Sequence, residues 1–298
     1  GEPVRGRANP SVGRANPSVG RAATATFITP ADMAMPGYEL IASPTLYPGQ
    51  TVTARLQADP GNGAMLPVRL FLNRYVLGGS LQYVPGPTVE LAPGAAAELT
   101  WKIEGDGNQP ICQIGVELTA PGVVYLDTLT WEGSPDVVFS VPEDWARNRR
   151  GDTWRKLWVN AADQWECWGN EALRIIQNDG RGMLITGTRQ WQDYAVSAVV
   201  RPTLMQAGGI AARVQGLKRF YALQLVKGGK ARLIKALDGD TVLAEALFDW
   251  EMWQAYPMAL EVRGSHLRGW INDQLLFDVE DAARPLTGGG VALLVDEG

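Results

Sequence analysis

The run that opens at Trp191-Gln-Asp-Tyr194 and ends at Gly298 decides the fold. It continues as AVSAVVRP (195–202), GGIAARVQG (208–216), RFYALQLV (219–226), ARLIKAL (231–237) and TVLAEALF (241–248). PMALEVRG (257–264), HLRGWIND (266–273), QLLFDVED (274–281) and GGVALLVDEG (289–298) complete it. Each segment has strand length, and Gly, Asp or Asn marks most of the junctions. A series this dense in short strands buries itself only as a sandwich or a barrel. LWVNAA (157–162), ALRIIQN (172–178) and MLITGT (183–188) precede it as further strands.

Working back toward the N-terminus, residues 24–135 repeat the pattern. Strands are expected at YELIASPT (38–45), QTVTARLQA (50–58), PVRLFLNRY (67–75), TVEL (88–91), AELTWKI (97–103), CQIGVELTA (112–120) and VVYLDTLTWEG (123–133). In TVTARLQA the residues Val52, Ala54, Leu56 and Ala58 share one face. Alternation is weaker in VYLDTLTW. Residues 136–156 form a linker with a mixed-sign charge run from Glu143 to Lys156. Residues 1–23 form an arm in which GRANPSV occurs twice, at 6–12 and 13–19, followed by GRA. Asn-Pro and Gly-Arg disfavour helix, and the arm has too little apolar surface to fold alone. It reads as an extended linker, or as an arm (residues 1–22) that adds a strand to a neighbouring copy and drives homo-assembly.

Composition narrows the function. The chain has 298 residues, 46% hydrophobic, which suffices for two sandwich domains with their own cores. Net charge is −5, which disfavours nucleic-acid and anionic-membrane partners. No apolar run approaches the ~20 residues of a membrane span, and no signal peptide is visible. Cys112 and Cys167 fall in different halves and are expected as unpaired, partly buried thiols. There is one histidine, His266, and no Walker, dinucleotide-binding, nucleophile-elbow or zinc-type spacing. No cofactor is implied.

The residues suited to binding are aromatic and amide-bearing. Eleven tryptophans are present, nine of them after residue 140. Indole faces stack on the apolar faces of sugar rings, and they also fill cores. Trp191 and Trp270 are the expected exposed pair. In GGIAARVQG strict alternation places Arg213 and Gln215 on one face, with Gln224 of the next strand beside them if the register agrees. That trio would suit sugar hydroxyls or a carboxylate. The alternative is an arginine that closes a sheet edge onto Asp193 or Asp281. Asp278 and Glu280 share a strand face, as a glycosidase pair would, but they lie at a strand end where exposed acids are ordinary.

Two resemblances sharpen these expectations. The C-terminal half, through Trp-x-Asp-Tyr, Gly-Gly-Ile-x-x-Arg and the G-x-x-L-x-G-W-I-N-D hairpin, resembles the concanavalin A-like lectin/glucanase superfamily, in its laminin G-like and 3-keto-disaccharide hydrolase type branches. It is also similar to accessory regions of some ADP-ribosylglycohydrolase-like proteins, whose catalytic residues have no counterpart here. The strand VVYLDTLTWEGSP resembles the closing strand of galactose-binding-like jelly-roll carbohydrate-binding modules. Those modules often hold a structural calcium, for which Asp127 is the one matching position. One carboxylate does not make a six- to eight-oxygen site.

The sequence therefore predicts an all-β chain of two tandem antiparallel β-sandwiches, jelly-roll-like over 24–135 and concanavalin A/laminin G-like over 157–298, behind the repeat arm. The expected function is a non-catalytic, extracellular or cell-surface glycan- or polysaccharide-binding segment of a larger protein. A structural assembly protein and a glycan-active hydrolase stand as alternatives. Such domains usually end in one further strand after a GGGVALLVDEG-type segment, so an open slot, or one filled from elsewhere, is expected beside it.

Overall fold

The structure is a computed structural model and describes residues 46–76, 80–105, 107–141, 156–168 and 172–298. The repeat arm, the assembly expected of it, the strand expected at 38–45 and residues 142–155 lie outside the described residues. The described residues contain strands and turns and no α-helix. They belong to two compact units.

The first unit contains β1 (Thr51–Ala58), β2 (Leu66–Tyr75), β3 (Leu81–Leu91), β4 (Ala96–Lys102), β5 (Ile111–Leu118) and β6 (Val124–Glu132). They form two three-stranded antiparallel sheets, β4-β1-β6 and β3-β2-β5. Alternation builds the core between them. Val52, Ala54, Leu56 and Ala58 of β1 are buried against Leu66, Val68, Leu70 and Leu72 of β2, with Ile114, Val116, Leu99 and Leu129 completing the cluster. The weak alternation of VYLDTLTW has a cause: the β1–β6 register shifts between Arg55 and Leu56, leaving Asp127 as the extra residue of a β-bulge. Cys112 is buried, and its thiol faces the Asn73 carbonyl at 3.4 Å. The side chain of Cys167 lies outside the described ones.

The second unit contains β7 (Val159–Ala161), β8 (Gln164–Trp168), β9 (Ala172–Ile176), β10 (Arg181–Thr186), β11 (Tyr194–Val200), β12 (Ala207–Gly216) and β13 (Arg219–Val226). It continues through β14 (Lys230–Leu237), β15 (Asp240–Leu247), β16 (Tyr256–Arg263), β17 (His266–Ile271), β18 (Gln274–Glu280) and β19 (Gly290–Asp296). A seven-stranded sheet, β15-β14-β13-β12-β19-β10-β7, packs on a four-stranded sheet, β11-β16-β17-β18, and β8-β9 is a separate hairpin. Ile210, Leu223 and Leu233 of the larger sheet are fully buried, as are Leu260, Val262, Leu267 and Ile271 of the smaller one. Gly269 leaves room in β17 for Leu223, whose Cδ1 would stand 3.2 Å from an added Cβ.

Two expectations fail here. The slot is closed: β19 is an interior strand, paired with β12 on one side and β10 on the other, and the Gln177 and Gly298 backbones bond to each other. The strands near the start of this unit, β10 and β7, supply the pairing that seemed to be missing. In addition, the central strands of the seven-stranded sheet, β12, β13, β14 and β19, are buried on both faces. Met183, Ala211, Phe220, Ala222, Ile234, Ala236, Ala292 and Leu294 form a second cluster on the face away from the smaller sheet. The face of β13 that carries Gln224 is thus interior.

Candidate functional site

Within Trp191-Gln-Asp-Tyr194, the residues Gln192, Asp193 and Tyr194 hold Arg213 in place. The guanidinium is 1% exposed. Its Nε donates to the Gln192 carbonyl at 3.2 Å, Nη1 to the Gly264 and Leu286 carbonyls at 2.5 Å each, and Nη2 to Asp193 Oδ1 at 3.1 Å. The backbone N–H of Arg213 donates to the Tyr194 hydroxyl at 2.6 Å, and that hydroxyl sits 2.9 and 2.8 Å from the Gly289 and Gly290 carbonyls. Arg213 has φ 50, in the left-handed region, because β12 carries an irregularity there against both β13 and β19. The bulge breaks alternation and turns the side chain inward. Of the two readings of Arg213, the contacts match the arginine that closes onto Asp193.

Trp191 is 4% exposed, which corrects the expectation of an exposed ring. It lies edge-on to Tyr194 with centroids 6.0 Å apart, and a Cβ at Gly187 would fall 2.5 Å from its ring. Gln215 donates to the Gly288 carbonyl at 2.7 Å, and buried Gln224 donates to Asp296 at 3.3 Å. The register places Gln224 opposite Gly209, six residues along β12 from Gln215 and so about 20 Å away at ~3.3 Å per residue. The expected Arg213–Gln215–Gln224 patch does not form.

A second buried network holds the same end of the sandwich. Lys235 Nζ meets Asp281 Oδ2 at 2.6 Å and the Ala283 and Arg284 carbonyls at 2.6 and 2.8 Å. Tyr221 donates to Asp281 at 2.6 Å and accepts from the Leu286 N–H at 2.8 Å. Burial alone would raise the Asp281 carboxyl, but the Lys235 ammonium and the Tyr221 hydroxyl outweigh it and hold the group below the usual carboxylate range. Burial, with Asp281 beside it, pushes the Tyr221 phenol up. Arg213 and Lys235 together pin the β18–β19 loop by its carbonyls, so these polar groups position backbone.

Trp270 remains open to the surface. Along β17, Leu267, Gly269 and Ile271 point inward, and His266, Arg268 and the half-buried Trp270 point outward. Asn272 and Asp273, both with positive φ, make the two-residue turn into β18. A register shift beside Trp270 sets it opposite Leu275. Across β16 it faces Ala259, and beyond that Ser197 of β11. The indole is therefore flanked on one side by small residues only. The next row is polar: Glu261, Arg268 and Asp278 face one another, with Arg263, His266 and Glu280 beyond. Arg268 Nε lies 3.4 Å from Asp278 Oδ2, His266 bonds the other Asp278 oxygen, and Arg263 pairs with Glu261 at 2.7 Å. Glu280 accepts from Ser265 at 3.1 Å. An apolar ring beside a row of fixed donors and acceptors can hold a polyhydroxylated ring by its face and its edge.

Trp253 was not among the expected binding residues. It is 61% exposed and has φ 69, unusual for a bulky residue. Its N–H donates to the Pro202 carbonyl at 2.7 Å, which sets it at the end of β11 and β16 nearest the Trp270 row. The non-periodic stretch FDWEMWQAY (248–256) between two strands is the signal that could have found it. Asp127 is exposed on its bulge. Among the described residues no group of three or more His, Cys, Asp or Glu is placed to hold a metal.

No family model matches the sequence, and no curated protein matches it either, so the likeness to ADP-ribosylglycohydrolase accessory regions is unsupported. Solved structures do resemble it. The carbohydrate-binding module CBM66 from Bacillus subtilis matches with a TM-score of 0.43 and 18% identity, over 47% of this chain and 88% of that one. The Caenorhabditis elegans galectin LEC-6 matches with a TM-score of 0.28 and 13% identity, over 40% of this chain and 80% of that one. Domains LG4-5 of the mouse laminin alpha1 chain match with a TM-score of 0.28 and 8% identity, over 84% and 77%. At these scores the likenesses say nothing of what this chain binds.

Proposed function

We propose that this chain is a non-catalytic carbohydrate-binding segment of a larger extracellular or cell-surface protein. In this reading the outer face of the four-stranded sheet lies along a polysaccharide. The supporting observation is the outward indole of Trp270 beside Ala259 and Ser197, with the Glu261–Arg268–Asp278 row next to it. A sugar ring stacks on the indole, its hydroxyls bond the polar row, and Trp253 offers a second aromatic surface near the same end. The face is open, so it suits a chain lying side-on, and affinity is modest because few polar groups converge. Asp278 is held by His266 and Arg268, and Glu280 by Ser265, which favours binding over the hydrolase alternative.

A glycan-array screen of the purified chain, with calcium and with chelator, beside Trp270→Ala tests this. Selective binding that vanishes in the variant supports the reading. Binding that persists unchanged in Trp270→Ala refutes the site, and turnover of a bound glycan that is lost in Asp278→Ala would favour the hydrolase.

A further inference from the structure

A cavity of about 220 Å³ opens between the two sheets at one end of the first unit. Its floor is Leu72, Val84 and Ile111, all packed into or against the core. One wall is the Trp101 indole. That ring lies directly on the β3 backbone, because a Cβ at Gly86 would sit 2.7 Å from its Cε3. The Pro85-Gly86-Pro87 stretch permits this on an edge strand, where the register with β2 also shifts. Arg74, Glu104 and Gln109 line the rim. Arg74 Nε is held by Gln82 Oε1 at 2.9 Å, which orients the guanidinium. Among the described residues, the side chains of Glu104 and Gln109 bond to no protein group.

The chemistry of that rim selects a ligand. The volume lies below the ~300–1,000 Å³ of pockets for drug-sized ligands, which suits one ring and not a chain. Arg74 and Glu104 carry opposite charges, so neither an anion nor a cation is favoured. A hydroxyl can accept from a guanidinium and donate to a carboxylate, and an amide does both. A neutral ring with adjacent hydroxyls uses all three while its C–H face covers the indole.

We propose that this cavity is a second binding site, which takes one neutral sugar ring presented at a chain end. Trp101 stacks on the ring, and Arg74, Glu104 and Gln109 bond two adjacent hydroxyls. It stands on the first unit alone and does not depend on the Trp270 face. The two sites differ in kind, since an open face runs along a chain and a recessed cavity captures its terminus.

The test is an NMR titration of the isotopically labelled full chain with methyl β-glucopyranoside, methyl β-galactopyranoside and methyl α-mannopyranoside, with methyl β-glucuronide as the charged control. At least one neutral glycoside should shift the Trp101 indole N–H and the Gln109 side-chain amide. Glu104→Gln and Gln109→Ala should each weaken that binding about tenfold. Trp101→Ala removes core packing, so the two rim variants carry the test. No shift with any neutral glycoside, tighter binding of the glucuronide, or indifference to Glu104→Gln overturns the proposal. None of these results bears on Trp270, whose own variant is read separately.

Discussion

Replacing Arg213 with methionine separates a structural clamp from a ligand contact. The substitution keeps most of the aliphatic stem and removes five N–H donors. Three carbonyls lose their partner, those of Gln192, Gly264 and Leu286, while Asp193 Oδ1 keeps the Gly264 N–H at 2.9 Å. Asp193 is 56% exposed and rehydrates readily, so its pairing contributes little. The Leu286 carbonyl is deeply buried at this contact, and leaving it unsatisfied costs about 1–3 kcal/mol. Gly264 and Gln192 are partly buried and add less each. Together the three carbonyls put the loss at about 3–5 kcal/mol, at ~1–3 kcal/mol each with the Leu286 carbonyl at the upper end. For a unit of this size that is a fall in Tm of about 6–20 °C, at roughly 2–4 °C per kcal/mol. Urea denaturation measures the loss, and hydrogen exchange of the β12 and β19 amides assigns it to the second unit. At a temperature where the variant is folded, glycan binding should match the parent. A stability change below about 1 kcal/mol together with lost binding would overturn the clamp and return Arg213 to a ligand site.

Asp281→Asn should make the second unit less stable at neutral pH by about 3–5 kcal/mol, because it strands the Lys235 ammonium in the interior. The Asp281 carboxyl is lowered in the folded state, so its stabilisation is present above the ordinary carboxylate range and is lost as pH falls through the lowered value. The variant should accordingly show a flatter acid limb in urea midpoints measured between neutral and acidic pH, and an unchanged slope would contradict this. Gly86→Ala should destabilise the first unit by about 1–3 kcal/mol, since its Cβ overlaps the Trp101 ring. Thermal unfolding checks it, and the same variant should weaken any glycoside held in the Trp101 cavity.

Much of the fold is legible in the sequence because it is written in period-two alternation. Val52, Ala54, Leu56 and Ala58 read as one face and are one face. Every segment quoted after Trp191 forms a strand. Long-range pairing was less accessible. Nothing local in GGVALLVDEG says that it lies between β10 and β12, so a slot was expected where the chain itself closes the sheet.

The site reading failed at a bulge and at a covered face. Alternation carried Arg213 outward, whereas an irregular turn of backbone at φ 50 carries it inward. Gln215 and Gln224 looked adjacent by face, but the register separates them along the strand. The sequence sets Gln224 in a binding patch, yet the side of β13 that carries it is packed with Phe220 and Ala222. Trp270 kept its expected outward position because β17 and its turn follow the regular pattern. The Trp101 cavity was not foreseen, because it joins residues from four strands and two loops that are distant in sequence.

The most direct measurement is an NMR titration of the labelled chain with the oligosaccharide that the array selects, following the Trp270 indole N–H. That resonance, with Arg268 and the Glu261 amide, should shift in a saturable way, and Trp270→Ala should abolish binding while leaving thermal stability within about 1 kcal/mol. Saturable binding that leaves the outer face of the four-stranded sheet unperturbed would contradict the assignment of that face as the glycan site.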